Sequence, residues 1–176
     1  MKKRLATVWL DGCSGCHMSF LDLDERLIEV AEKADLVYSP LVDIKEFPED
    51  VDVALVEGAV SSEEDLHKIQ MNRKKVKTLV SLGDCSVTAN VPGMRNAFGV
   101  KAVCDRAYTE NVTLNPGTPA QVIPRLLPYA RPIHEVVNVD VFIPGCPPSA
   151  DTIHYALTEL LEGRVPELSA KTRFGA

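Results

Sequence analysis

Short apolar runs rich in β-branched residues alternate along this chain with longer stretches in which apolar residues recur every three or four positions. Residues 5–10, 52–56, 78–82 and 139–143, each run bounded by Asp, Gly or Pro, are predicted as strands, and residues 36–38 as a weaker one. Runs that are apolar at nearly every position suit strands covered on both faces, as in a parallel sheet flanked by helices. Between the first strands, Phe20, Leu21, Leu23, Leu27, Ile28, Val30 and Ala31 follow helical spacing among acidic and basic residues, which predicts one continuous helix. Ser61 and Ser62 followed by Glu64 and Asp65 read as a helix start, with Arg73, Lys74 and Lys75 at its end. Ser149 and Asp151 open a last helix through Ile153, Ala156, Leu157, Leu160 and Leu161, closed by Gly163 and Pro166. Residues 91–137 are rich in proline and read as a long surface excursion, with residues 120–127 as its one short helix. The expected fold is a single α/β domain over residues 1–176, a doubly wound parallel sheet.

Composition narrows the function. With 176 residues, 45% hydrophobic and 25% charged, the chain has enough apolar surface for a core. A formal net charge of −6 without a long basic run disfavours nucleic acid and anionic membranes as partners. Lys2, Lys3 and Arg4 imitate the start of a signal peptide, but the apolar run before Asp11 is too short for a secretory core, and no run is long enough to span a bilayer. A cytoplasmic protein is expected. There the five cysteines are expected to serve as metal ligands, redox groups or small hydrophobes rather than structural disulfides.

Four of them follow predicted strands: Cys13 and Cys16 the first, Cys85 the run 78–82, and Cys146 the run 139–143. In a parallel sheet the C-terminal strand ends share one edge, where such folds bind ligands. Four thiolates meeting there suit an iron-sulfur cluster or a tetrahedral zinc ion. Cys13-Ser14-Gly15-Cys16 alone also fits a redox dithiol pair. Zinc sites tend to come as two paired knuckles, whereas Cys85 and Cys146 stand singly, which favours the cluster and leaves the others open. Gly12, Gly15, Gly83 and Gly145 would let backbone approach the sulfurs. Cys104 reads as a buried small hydrophobe and Trp9 as core. Glu57, after residues 52–56, reads either as a solvated loop acid or as a carboxylate relaying protons or bonding across an interface. His17 reads as supporting the site rather than ligating metal.

Taken together, Trp9-Leu10-Asp11-Gly12-Cys13-Ser14-Gly15-Cys16-His17-Met18-Ser19-Phe20, Val56-Glu57-Gly58-Ala59-Val60, Gly83-Asp84-Cys85 and Pro144-Gly145-Cys146-Pro147-Pro148 resemble the small subunit of nickel-iron hydrogenases. The resemblance implies a flavodoxin-like fold, one 4Fe-4S cluster on Cys13, Cys16, Cys85 and Cys146, and a nickel-iron centre on a separate large subunit. Many such subunits carry an export signal and a further cysteine-rich domain. This chain shows neither, so it resembles the short cytoplasmic form of bidirectional NAD-linked complexes, whose diaphorase subunits bind NAD(H). The homologous complex I quinone oxidoreductase subunit has adjacent cysteines where this chain has Cys13-Ser14-Gly15-Cys16. A zinc-stabilised assembly subunit without redox role is the functionally different alternative. FMN, suggested by the flavodoxin-like fold, has no residue support, since cysteines occupy the place of a phosphate-binding loop.

Overall fold

A computed structural model describes residues 1–172 of the chain. In chain order the regular elements are β1 (Lys3–Trp9), α1 (Gly15–Leu21), α2 (Arg26–Lys33), β2 (Ala34–Tyr38), β3 (Val51–Glu57), β4 (Val60–Ser62) and α3 (Glu63–Arg73). There follow β5 (Val76–Leu82), α4 (Asp84–Thr88), α5 (Asn90–Gly93), α6 (Val100–Asp105), β6 (Leu126–Arg131), β7 (Val141–Ile143) and α7 (Ala150–Leu161). Five strands make one parallel sheet in the order β2-β1-β3-β5-β7. The chain leaves β1 in one direction to reach β2 and then builds outward in the other direction from β3. The strand order therefore reverses between β1 and β3, the place where doubly wound sheets hold ligands.

The continuous apolar runs explain why the sheet is covered on both sides. Leu5, Val53, Leu55, Leu82 and Ile143 pack with Phe20, Ile153 and Leu157 from α1 and α7. On the opposite face Ala6, Val8, Ala54, Val56 and Leu79 pack with Ile69 of α3 and with Ile133. Ser62 caps α3 by accepting from the Asp65 N–H while the Asp65 side chain accepts from the Ser62 N–H, a reciprocal arrangement that satisfies two otherwise orphaned donors. Ser149 caps α7 by accepting from the Thr152 N–H. Among the described residues no helix is long and apolar enough to cross a membrane.

Three expectations are corrected. The helix foreseen through Phe20 and Ala31 is two helices, α1 and α2, separated by a turn in which Asp24 takes a left-handed conformation at φ 51°. Leu23 in that turn stays buried, so the apolar periodicity runs through a break in the backbone. Residues 120–127 form no helix: Val122 has φ 65°, Pro124 lacks a backbone donor, and the segment leads into β6, which pairs antiparallel with β4. Trp9 is 44% exposed rather than core. By strand alternation it shares the face of Leu5 and Thr7, but it closes β1 at the open edge, beyond the helices that cover that face.

Candidate metal centre

Three strand-to-helix junctions build the site. After β1 the chain is pinned against the end of β3: the Leu10 N–H donates to the Glu57 carbonyl at 2.9 Å, and Asp11 and Ala59 exchange backbone hydrogen bonds at 3.1 and 2.7 Å. Ser61 Oγ donates to the Asp11 carboxylate from the same side. Gly58, at φ +92°, makes the approach possible, because a Cβ there would sit 2.8 Å from the Asp11 carbonyl oxygen. Ser14 in a left-handed conformation then turns the chain into α1, and the Gly15 N–H points at Cys13 Sγ at 3.4 Å.

The β5 and β7 junctions are locked to each other. The Asp84 N–H donates to the Gly145 carbonyl at 2.9 Å, and the Gly145 N–H donates to Asp84 Oδ1 at 2.7 Å. Cys85 follows in α4, and the Asn90 amide lies 3.6 Å from Cys146 Sγ. Ser19 Oγ donates to the Pro148 carbonyl at 2.6 Å, tying α1 to the loop that carries Cys146.

Cys13, Cys16, Cys85 and Cys146 thereby line one cavity of about 70 Å³ together with Glu57 and Asp84. Cys16 and Cys85 are buried, and Cys13 and Cys146 are exposed at its mouth. Burial, followed by the nearby Glu57 carboxylate and the other three thiols, pushes the Cys16 thiol far above its ordinary range. Burial also raises Cys85, against the opposing effect of the Val91 N–H that donates to it. Thiolates do not accumulate in such a place unless a cationic group displaces the protons.

Four thiols around one cavity can hold an iron-sulfur cluster, each of whose irons takes one cysteine, or a tetrahedral zinc ion. Gly83 packs so closely against Cys16 that a Cβ on it would lie 2.2 Å from Cys16 Sγ.

Glu57 is the last residue of β3 and only 2% exposed, so it is no solvated loop acid. Its Oε2 accepts from the His17 N–H at 2.8 Å and lies 2.5 Å from His17 Nδ1. The pairing is a feature that sequence reading missed, because it brings the start of α1 onto the end of β3 across 40 residues of chain. Cys104 stands apart from the cavity in α6 and is half-buried rather than fully buried, against Tyr108, Pro119 and Ile123. Replacing Cys104 with Ser is expected to leave the iron content of the purified chain unchanged. Loss of iron there, with retention after Cys85→Ser, would overturn the ligand assignment.

The chain belongs to the NADH ubiquinone oxidoreductase, 20 Kd subunit family, which matches residues 13–160. It is 45% identical to the NAD-reducing hydrogenase HoxS subunit delta of Cupriavidus necator over 93% of this chain and 80% of that protein. It is 39% identical to a subunit of the vhu F420-non-reducing hydrogenase of Methanocaldococcus jannaschii, covering 96% of this chain but only 59% of that protein's length. In three dimensions it superposes with a TM-score of 0.93 on a chain from the crystal structure of an NAD+-reducing nickel-iron hydrogenase in the H2-reduced state, at 39% identity and 99% coverage of both chains. A chain of the nickel-iron-selenium hydrogenase from Desulfomicrobium baculatum, at 18% identity and a TM-score of 0.60 over 97% of this chain and 68% of that one, shares the fold.

Proposed function

We propose that this chain is the electron-transfer small subunit of a cytoplasmic, NAD-linked nickel-iron hydrogenase, with one 4Fe-4S cluster held by Cys13, Cys16, Cys85 and Cys146. The observation that carries the reading is the convergence of four thiols from three separate junctions on one cavity at the C-terminal edge of the sheet. The kinship with NAD-reducing hydrogenase subunits supports the NAD-linked form. The overall reaction is then H2 + NAD+ ⇌ NADH + H+, with hydrogen split at a nickel-iron site on a large subunit and NAD(H) bound by diaphorase subunits. Bound here, the cluster supplies one-electron storage, so that a two-electron oxidation passes in two successive one-electron steps.

The residues of this chain have distinct tasks around it. The exposed Cys13 and Cys146 form the mouth toward a partner, and the buried Cys16 and Cys85 anchor the inner side. The Gly15 N–H and the Asn90 amide, both directed at ligand sulfurs, stabilise negative charge there. Glu57 is buried against the cavity, and its position favours proton movement over direct contact with a partner.

The chain is expected to be inactive alone and to copurify with its large subunit through an interface of more than about 2,000 Å², as permanent complexes do. Co-production with the large and diaphorase subunits should yield hydrogen-dependent NAD+ reduction that requires this chain. Recovery of the chain from its native source free of any large subunit would count against the reading.

A further inference from the structure

Glu57 is the end of a longer line of buried polar side chains. His17 Nδ1 lies 2.5 Å from Glu57 Oε2, His17 Nε2 lies 3.0 Å from Thr7 Oγ1, and the Thr7 hydroxyl donates to Ser39 Oγ at 2.8 Å. Glu57, His17, Thr7 and Ser39 are 2%, 5%, 1% and 2% exposed. The four come from β3, α1, β1 and the loop after β2, so the line crosses the sheet from the cysteine cavity to its edge strand. Nothing in the packing of β1 asks for it: Leu5 on the same face is apolar core, and a valine would fill the space of Thr7 without needing a hydrogen-bond partner.

The strand register supplies an independent observation. β1 pairs Leu5 with Leu36 but Ala6 with Tyr38, so one residue of β2 is passed over. An unbroken ladder would set Tyr38 opposite Thr7, whereas the shifted one brings Ser39 there. Irregularities of this kind re-aim a side chain beside functional sites. The Leu41 N–H, donating to Ser39 Oγ at 3.1 Å, fixes the far end of the line.

We propose that Thr7 and Ser39 are positioning residues for Glu57. They hold the His17 ring so that its Nδ1 side stays on the carboxylate, and the carboxylate stays on the cysteine cavity. The inference rests on the reading of Glu57 as a group that serves the cluster edge. It concerns geometry alone: the Thr7 hydroxyl orients the ring from behind, as the outer partners of metal-site histidines do.

The test uses the assembled hydrogenase complex carrying Glu57→Gln, Thr7→Val, Thr7→Ser or Ser39→Ala. It reads hydrogen turnover, iron content, and the redox titration of the paramagnetic signal that disappears in Cys16→Ser. Thr7→Val is expected to keep its iron, to lower turnover about tenfold, and to shift the potential of that signal in the same direction as Glu57→Gln. Thr7→Ser should restore both. Ser39→Ala should give a smaller shift of the same sign, and it serves as the test where Thr7→Val loses iron. Wild-type turnover and potential in both variants overturn the inference, and so do effects that arise only through lost iron or assembly. If Glu57→Gln is itself silent, the reading of Glu57 fails. If it acts while Thr7→Val and Ser39→Ala do not, only the positioning role fails.

Discussion

Gly83→Ala is expected to abolish cluster binding although it touches no ligand chemically. The added Cβ would lie 2.2 Å from Cys16 Sγ, on a buried thiol that cannot move without leaving the cavity. The backbone adds strain, since Gly83 has φ 82° and ψ 161°, a region that L side chains avoid at a cost of roughly 1–3 kcal/mol. Gly99 provides the control. It has almost the same conformation, φ 81° and ψ 158°, but no atom within 4 Å of a built Cβ. Gly99→Ala therefore isolates the strain and should lower thermal stability by about 1–3 kcal/mol while keeping its iron. Equal iron content in the two variants would show that the close approach of Gly83 to Cys16 is not needed for iron binding.

Glu57→Gln is expected to lower hydrogen turnover by roughly 10²-fold or more while cluster loading and assembly survive, because the substitution keeps size and hydrogen-bonding capacity but removes the ionisable group. The Gln side-chain oxygen can still accept from the His17 N–H that now donates to Oε2 at 2.8 Å. Weakened assembly with near-normal turnover would instead mean that the residue shapes the subunit interface. Unchanged values for both would make Glu57 a structural acid.

The parallel sheet and the convergence of the cysteines were legible because they rest on signals that are local and strong. Each of the strands that carry Cys13, Cys85 and Cys146 is a near-continuous apolar run ended by Gly, Asp or Pro, and parallel topology then sends the C-terminal ends to one edge. The break between α1 and α2 was not legible, because Leu23 keeps the apolar period while Asp24 turns the backbone. The β4–β6 pair was missed because β4 is three residues long and, although buried, carries two serines, while β6 contains Pro128 and is largely exposed, so neither reads as an apolar strand run. Trp9 was misread for a related reason: aromatic character alone says core, while its place at the end of β1 leaves it at the open edge. The pairing of Glu57 with His17 depends on α1 crossing the end of β3, a tertiary contact that neither segment encodes by itself.

Whether the four cysteines hold an iron-sulfur cluster is tested most directly by metal and acid-labile sulfide analysis of the separately produced chain, handled anaerobically, with an electron paramagnetic resonance spectrum of the reduced protein. About four irons and four sulfides per chain are expected, with a signal from the reduced cluster that vanishes in Cys16→Ser. One zinc per chain with no sulfide and no signal would contradict it.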